Sequence, residues 1–308
     1  MGKLSIHDNF IRTIMSDKNI AKDYFKSYLP LFVKNRLDFD TLEQSPDTYI
    51  SKELQKTMSD IVYTCLLKGT GDPVKVSLLI EHKSYIDKNT PIQIGSYIFS
   101  GLMKQVINKE KLAMIIPVLL YHGKDRWEYH TLSDLFVNME PKWKSFLPNF
   151  NYIYNNLGEI PDAEIEILNN NFLMASILSL KHSFDKNWLE KNAIRLLLLL
   201  ENTDRNLQQG FIVYLFTRSG IRASEIIDSL RELPLTLKDT VMSTLDSFVE
   251  LGKKIGFEEG IEKGIERGKT DFVVNLLHNT DFTMDQIAKL ANVSEDFVSR
   301  IKQSNEDK

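Results

Sequence analysis

The stretch MSDIVYTCLLKGTGDPVKVSLLIEHK, residues 58–83, consists of two apolar runs on either side of a short glycine-rich segment. Residues 58–68 and residues 74–81 are both rich in β-branched and apolar side chains, so each predicts a β-strand. Between them, GTGDP at residues 69–73 has the glycines and the proline that favour a chain reversal. The stretch therefore predicts a β-hairpin.

The segments around this hairpin predict a mixed α/β core. Apolar residues recur at near-helical spacing in residues 7–30, which predicts one or two helices ended by Pro30. Residues 91–111 predict an amphipathic helix with Pro91 at its first position. The nearly continuous apolar run at residues 112–124 predicts a strand that is buried on both faces. The order helix, strand, strand, helix, strand predicts an α/β fold with a small mixed sheet flanked by helices.

The rest of the chain has helical apolar spacing and few strand signals. We predict a core at residues 1–125, a helical region at residues 126–249 and a tail at residues 250–308. Five glycines recur in the tail at intervals of four residues, namely Gly252, Gly256, Gly260, Gly264 and Gly268. On a helix these glycines would form a stripe that allows close approach of another helix, for example in a homodimer. A flexible charged linker is the alternative for this segment.

Residues 283–303 predict two short helices around a tight turn, with Thr283 and Ser294 as N-caps. Ile287, Leu290, Val293 and Val298 are candidates for packing between these helices. A DNA-reading helix-turn-helix is one interpretation. The second helix carries only two basic residues against two acidic ones, so a hairpin that simply packs is the favoured interpretation.

The composition is that of a globular protein with a substantial core. The chain has 308 residues, of which 43% are hydrophobic, and its net charge is −4. A single cysteine, Cys65, excludes an internal disulfide and favours a reducing compartment. No signal peptide is recognisable and the apolar runs are too short to cross a bilayer, so we expect a soluble, cytoplasmic protein without a membrane partner. Residues 1–125 carry 17 basic and 14 acidic side chains, a mildly basic balance that tolerates a polyanionic ligand.

The predicted hairpin places charged side chains at one edge of the sheet. Asp60 directly precedes the first apolar run, and Glu81 and Lys83 end the second. Because side chains alternate along a strand, Glu81 and Lys83 share a face while His82 points to the other. Carboxylate oxygens of this kind bind a divalent ion of the magnesium class, and an ammonium group beside them stabilises developing charge on a phosphoryl group.

Each of these residues also has a purely structural interpretation. Asp60 can cap a turn, and Glu81 with Lys83 can form an exposed ion pair that contributes little. His82 is better explained as a structural histidine than as a metal ligand, since it faces away from the two acids.

Asp60 followed by Glu81-x-Lys83 resembles the signature of the PD-(D/E)XK nucleases. The order of five segments (HDNFIRTIM, MSDIVY, LLIEHKS, PIQIGSYIFSGL and IIPVLLYHG) resembles one branch of that superfamily, the Rpn or YhgA-like recombination-promoting nucleases. The resemblance covers nearly the whole chain and is strongest over residues 6–125.

This resemblance implies a PD-(D/E)XK restriction-endonuclease-like core and a set of site residues. Asp60 and Glu81 would bind Mg²⁺ or Mn²⁺, Lys83 would be catalytic, and Gln93 would be a polar residue aimed at the site. Three departures from the family pattern are Ser59 in place of proline, lysine at position 83 where many relatives have glutamine, and glutamine at position 93 where many have arginine.

The resemblance implies a metal-dependent endonuclease that hydrolyses DNA phosphodiester bonds in recombination, mobile elements or defence. The alternative is a nucleic-acid-binding or assembly protein on the same fold, in which catalysis has lapsed. Lys83 counts against this alternative, because an inactive site has no need of the ammonium group.

Overall fold

The computed structural model describes residues 6–45, 61–69, 75–221, 229–280 and 282–306. The chain divides into two compact units, Met1–Thr244 and Leu245–Lys308. The domain boundaries predicted near residues 125 and 249 stay predictions.

The first unit contains a mixed sheet of five strands in the order β1-β2-β3-β4-β5 within the described residues. The strands are β1 (Leu37–Gln44), β2 (Ile61–Leu67), β3 (Lys75–Lys83), β4 (Met114–Tyr121) and β5 (Ile153–Asn156). β1 and β3 each pair antiparallel with β2, whereas β4 pairs parallel with β3 and β5 pairs parallel with β4. The antiparallel strand pair of the predicted hairpin and the mixed α/β sheet are therefore confirmed, whereas residues 70–73 of the predicted GTGDP turn lie outside the described residues.

Three features of the sheet differ from the sequence predictions, the first being β1, for which the sequence predicts no strand. β3 continues through Lys83 rather than ending at residue 81, because the pairing with β4 extends to Lys83 and Tyr121. β5 lies within residues 126–249, for which the sequence predicts helices, and it adds a fifth strand. This strand has only four residues, two of which are asparagines, so it does not produce a recognisable strand pattern in the sequence.

Helices account for most of the remaining described residues. The α-helices are α1 (Ile6–Ser16), α2 (Lys18–Tyr28), α3 (Leu31–Lys34), α4 (Thr90–Ile107), α5 (Pro141–Lys144), α6 (Asp162–Ile165), α7 (Asn171–Lys181), α8 (Lys186–Leu198), α9 (Arg205–Ser219), α10 (Leu235–Asn279), α11 (Met284–Ala291) and α12 (Glu295–Glu306). Short 3₁₀-helices lie at Leu132–Leu135, Leu157–Glu159 and Ser229–Glu232.

The two faces of the sheet are covered by different helices. Ile94 of α4 packs in a cluster with Leu119 and Tyr121 of β4, and all three side chains are buried. On α1, Phe10 stacks on Tyr214 of α9 with ring centroids 3.9 Å apart. α4 therefore fixes one side of the β3–β4 pair, and α1 with α9 forms a second layer of the core.

In the second unit, α11 and α12 form a hairpin that packs on α10. Thr283 caps α11 through a capping box, and Asn292 ends that helix in the left-handed conformation. Ile287 and Val298 are fully buried in the cluster with Val273, whereas Leu290 is 56% exposed. The packed hairpin is as predicted, but the prediction that Leu290 packs between the helices is wrong.

The glycine repeat is helical, because it lies within α10. A Cβ atom added at Gly260, Gly264 or Gly268 would meet nothing within 4 Å. Of the two interpretations of this segment, the helix is the one that the structure contains. Among the described residues, no helix is long and apolar enough to span a membrane.

Candidate functional site

The carboxyl end of β3 places two opposite charges side by side in the core of the first unit. Lys83 Nζ lies 3.3 Å from Glu81 Oε1, and the two side chains are only 10% and 6% exposed. Alternation along the strand gives both residues the same face, toward α4. The interpretation of this pair as an exposed surface ion pair is therefore wrong.

A third charged residue, Asp87, completes this group from the turn between β3 and α4. Its Oδ2 accepts hydrogen bonds from Lys83 Nζ at 3.2 Å and from Gln93 Nε2 at 2.9 Å. Its Oδ1 accepts a hydrogen bond from the backbone N–H of Asn89 at 2.9 Å. The site cluster thus consists of Glu81, Lys83, Asp87 and Gln93, contributed by the end of β3, the turn and the first turn of α4.

The electrostatics of this cluster keep Lys83 and Asp87 ionised. Burial lowers the pKa of the Lys83 ammonium, but the charge of Glu81 and the hydrogen bond to Asp87 outweigh burial and raise that pKa above its ordinary value. Burial opposes ionisation of Asp87, yet the Asn89 amide and Lys83 outweigh it and hold the pKa of Asp87 below its ordinary value. Lys83 is therefore a fixed cation at neutral pH and not a proton acceptor.

One atom of the cluster has no partner within the described structure. Gln93 Oε1 is buried and accepts no hydrogen bond from any described residue. Buried polar atoms are nearly always paired, so an orphaned acceptor marks a place where a ligand, ion or water fits. Tyr97, one turn further along α4, is also buried.

The predicted metal site is described only in part. Asp60 lies outside the described residues, so of the two predicted ligands only Glu81 has a described position. β2 enters the sheet at Ile61, whose partner on β3 is Ile80, the residue before Glu81. Among the described residues, no group of three His, Cys, Asp or Glu side chains is arranged to hold a metal ion.

The opposite face of β3 carries a histidine cluster. His82 Nδ1 lies 3.1 Å from Asp8 Oδ1 of α1, and His82 Nε2 lies 2.9 Å from His122 Nε2. His7 packs on the His122 ring with centroids 4.7 Å apart, and its Nδ1 lies 2.9 Å from the Tyr214 hydroxyl. The contacts of His82 thus lie with α1 and His122, as the strand alternation predicts.

Burial and neighbouring charge keep two of these histidines neutral. Burial, followed by the positive charge of Arg218, lowers the pKa of His7 to about 4. Burial, followed by the charge of His82, holds the pKa of His122 well below its ordinary value. This cluster ties α1 and α9 to the sheet behind the site cluster.

Asp87 is the member of the site that the sequence analysis missed. Its signal is local: an aspartate two residues before Asn89, in a turn between a strand and a helix that begins near Pro91. Aspartate in such a turn commonly accepts a hydrogen bond from the backbone two residues ahead. That pattern predicts the turn, but it does not predict the contacts with Lys83 and Gln93.

A cavity of about 510 Å³ adjoins the site cluster and shares Asp87 as part of its wall. Trp127, Tyr152 and Pro91 supply apolar parts of the lining, and Lys88 supplies a cationic one. Asp87 therefore both contacts the site cluster and lines this cavity.

Comparison with known proteins identifies the family. The family model described as "Putative transposase, YhgA-like" matches residues 5–209, which is more than half of the chain. The chain belongs to this family. The site cluster and the histidine cluster have all but two of their members, Tyr214 and Arg218, within the matched residues.

Relatives within this family carry names that refer to recombination. The chain is 25% identical over 162 residues to the inactive recombination-promoting nuclease-like protein RpnE of Escherichia coli K12, covering 52% of this chain and 54% of RpnE. It is 24% identical over 119 residues to the recombination-promoting nuclease RpnC of the same strain, covering 38% of this chain and 39% of RpnC. It is 23% identical over 161 residues to the recombination-promoting nuclease RpnD of E. coli O157:H7, covering 52% of this chain and 61% of RpnD.

The chain thus spans about half the length of these curated relatives. No solved structure matches the chain. The five-stranded sheet of the structure establishes a mixed α/β fold. Because no solved structure matches, the PD-(D/E)XK core stays a prediction.

Proposed function

We propose that this chain is a magnesium-dependent DNA endonuclease with a PD-(D/E)XK-type site, acting in recombination, mobile elements or defence. The observation that carries the proposal is the cluster at the carboxyl end of β3, in which buried Glu81 and Lys83 contact half-buried Asp87 and Gln93. The names of RpnC and RpnD support a nuclease role in recombination.

The burial of this cluster favours a functional explanation over a structural one. Taking charged groups out of water costs several kcal/mol each, and their mutual attraction often fails to recover that cost. A buried ion pair is consequently weak evidence for a stabilising role. Charged groups arranged in this way at one point of a fold are typical of functional sites.

The oxygen atoms of the cluster fit a hard divalent cation. Glu81 supplies a buried carboxylate, and Gln93 Oε1 is an acceptor without a partner among the described residues. Mg²⁺ prefers oxygen ligands and binds through one or two carboxylates. Glu81 and Asp60 would hold the ion, which when bound would supply Lewis-acid stabilisation of a phosphoryl group.

During hydrolysis the residues of the chain would stabilise charge, orient the attacking water and limit access of other solvent. The oxygen of a water molecule forms a bond to phosphorus, one phosphorus–oxygen ester bond breaks, the leaving oxygen takes up a proton and the water gives one up to solvent. The Lys83 ammonium donates hydrogen bonds to the charge that develops on the phosphoryl oxygens. Gln93 Oε1 accepts a hydrogen bond from the attacking water and orients it, while the burial of Glu81 and Lys83 limits competing solvent.

Site-directed variants test this proposal directly. The purified protein should nick supercoiled plasmid in the presence of Mg²⁺ and stop when the ion is chelated. Glu81→Gln and Asp60→Asn should each lower the nicking rate on the order of 100-fold or more, because each removes a negative charge that the ion requires.

Asp40→Asn provides the matched control. Asp40 lies on β1, away from the cluster, and its exposed carboxylate pairs with Lys22 of α2, so its loss should leave nicking unchanged. Thermal unfolding of every variant verifies that the fold is intact. Nicking at the wild-type rate in a folded Glu81→Gln or Asp60→Asn protein would refute the assigned ligands.

A catalytically lapsed nucleic-acid-binding protein is the second candidate, and the name of RpnE as an inactive relative favours it. Calorimetric titration with Mg²⁺ or Mn²⁺ separates the two candidates without any activity assay. The endonuclease requires heat of binding that disappears in Asp60→Asn, whereas the lapsed protein gives no such heat.

A further inference from the structure

The carboxylate of Asp87 joins three parts of the site. Its Oδ1 accepts the Asn89 backbone N–H and so fixes the turn that leads from β3 into α4. Its Oδ2 accepts hydrogen bonds from Lys83 at the end of β3 and from Gln93 in the first turn of α4. One side chain therefore contacts both Lys83, which would stabilise the developing charge, and Gln93, which would orient the attacking water.

Lys83 and Gln93 each need such an anchor. The lysine side chain has four rotatable bonds, and its ammonium lies 3.3 Å from Glu81 and 3.2 Å from Asp87. Without Asp87 it would pair with Glu81 alone. Such pairing would neutralise the carboxylate that the proposed function assigns to the metal ion. The Gln93 amide donates through Nε2 to Asp87, and this bond directs Oε1 to the opposite side.

We propose that Asp87 is a positioning residue, which holds the Lys83 ammonium between two carboxylates and orients the Gln93 amide so that its oxygen is presented to the reacting groups. This inference rests on the proposed function for its catalytic consequence. Its structural part, the anchoring of Lys83, stands independently.

The cavity beside Asp87 makes this proposal testable by chemical rescue. The Asp87 side chain is 15% exposed and lines the cavity of about 510 Å³. In Asp87→Ala, a small carboxylate such as formate can enter the vacated space and accept the hydrogen bonds of Lys83 and Gln93. An isolated structural defect elsewhere in the fold would not respond to formate.

The kinetic experiment compares Asp87→Ala with the matched control Asp40→Ala in Mg²⁺-dependent plasmid cleavage. Asp87→Ala should lower kcat by roughly 10- to 100-fold, the effect of misplacing groups that must be aligned, with less than about a threefold change in KM. Formate should restore a saturable part of kcat, whereas sodium chloride at the same ionic strength should not. Asp40→Ala and the wild type should show neither loss nor rescue.

Asp87→Asn keeps the shape of the side chain and serves if Asp87→Ala does not fold. Its amide has a single acceptor oxygen, which cannot serve the Asn89 N–H and the Lys83–Gln93 pair together. The kcat of Asp87→Asn should therefore be lower than that of the wild type. Formate should not restore it, because the asparagine side chain still fills the space of Asp87.

A second readout needs neither DNA nor metal ion. The rate at which an amine-reactive reagent modifies Lys83 is measured by peptide mass spectrometry. Lys83 should react several-fold faster in Asp87→Ala than in the wild type, and formate should slow it again. Asp87→Asn also removes the charge of the anchor, so its Lys83 should react faster as well, with no effect of formate.

The results of these experiments decide whether Asp87 positions Lys83 and Gln93. Unchanged kcat and unchanged Lys83 reactivity in the Asp87 variants would overturn the proposal, as would a loss of kcat with neither formate rescue nor a change in reactivity. If the wild type cleaves no DNA, the proposed function fails, and the Lys83 reactivity alone then supports or overturns the anchoring by Asp87.

Discussion

At the scale of single residues, the alternation along β3 separates two chemically different clusters. Glu81 and Lys83 face the side covered by α4, while His82 between them contacts Asp8 and His122 on the other side. A shift of one residue in the pairing of β3 would exchange these faces. The register between β3 and β4, which runs from Val76 to Lys83, therefore decides which side chains meet.

The histidine cluster predicts how stability depends on pH. The pKa of His7 is about 4 in the folded chain, against an ordinary value of 6.5. Its neutral form is therefore favoured by folding, so its contribution is complete above pH 6.5 and is lost as the pH falls from 6.5 toward 4. The titratable and charged groups that face His7 are Asp8 of α1, His82 of β3, His122 at the end of β4, and Tyr214 and Arg218 of α9.

We expect His7→Gln to flatten this dependence. In the wild type, His7 adds up to about 1.4 kcal/mol per pH unit to the slope of the unfolding free energy between pH 4 and 6.5. Urea denaturation at several pH values measures this slope in the wild type and in His7→Gln. An identical slope in His7→Gln and the wild type would contradict the assignment.

Glu81, Lys83 and Gln93 can be assigned to one site from the sequence and the family resemblance, whereas Asp87 cannot. The alternation rule is sufficient for Glu81 and Lys83, because it depends only on their spacing along a strand. The position of Asp87 depends on the path of the turn and on the angle at which α4 leaves it, and neither is encoded in a short pattern. The histidine cluster was missed for the same reason, since its members come from α1, β3 and the end of β4.

At the scale of elements, the strands and helices that were predicted are those with strong apolar patterns. β2, β3, α4 and β4 lie within a few residues of their predicted limits. β1 was not predicted, because Asp38, Asp40 and Glu43 interrupt its apolar residues. A strand at the edge of a sheet tolerates such charges on its exposed side.

β5 is attached to the core by a buried polar contact that a single substitution can test. Asn155 Nδ2 donates a hydrogen bond to the Tyr24 hydroxyl of α2 at 2.8 Å, and Tyr24 is fully buried. Asn155→Ala should lower the unfolding free energy by about 1–3 kcal/mol, because it leaves the hydroxyl without this partner. Chemical denaturation measures the loss.

Two further variants check this explanation. Asn151→Ala removes an exposed asparagine just before β5 and should change the unfolding free energy by less than about 0.5 kcal/mol. Tyr24→Phe combined with Asn155→Ala should cost less than the sum of the two single changes, since the second change removes no remaining hydrogen bond. Strict additivity would show that the contact does not hold β5.

At the scale of the whole molecule, the family match and the second compact unit occupy different parts of the chain. The match ends at residue 209, within the first unit, whereas the glycine repeat and the α11–α12 hairpin belong to the second unit. The proposed chemistry consequently concerns the first unit. A homodimer through the glycine repeat stays a prediction, and the exposed Gly260, Gly264 and Gly268 are compatible with it.

The second unit has an apolar core of its own, which predicts that it can be destabilised separately. Val298 is fully buried in the cluster formed by α10, α11 and α12. Val298→Ala removes two methyl groups from this cluster and should lower the local unfolding free energy by roughly 1.5–3 kcal/mol. Val249→Ala, at a position that is 45% exposed in the same unit, should cost less than about 0.5 kcal/mol.

Hydrogen exchange resolved by peptide mass spectrometry measures the two units in one experiment. Amides of α11 and α12 should exchange faster in Val298→Ala, while those of β2, β3 and β4 should keep wild-type rates, because each unit is stabilised by its own buried cluster. An equal acceleration in both sets of peptides would mean that the units unfold together. In that case a loss of the proposed nuclease activity in a tail variant would not by itself assign a role to the tail.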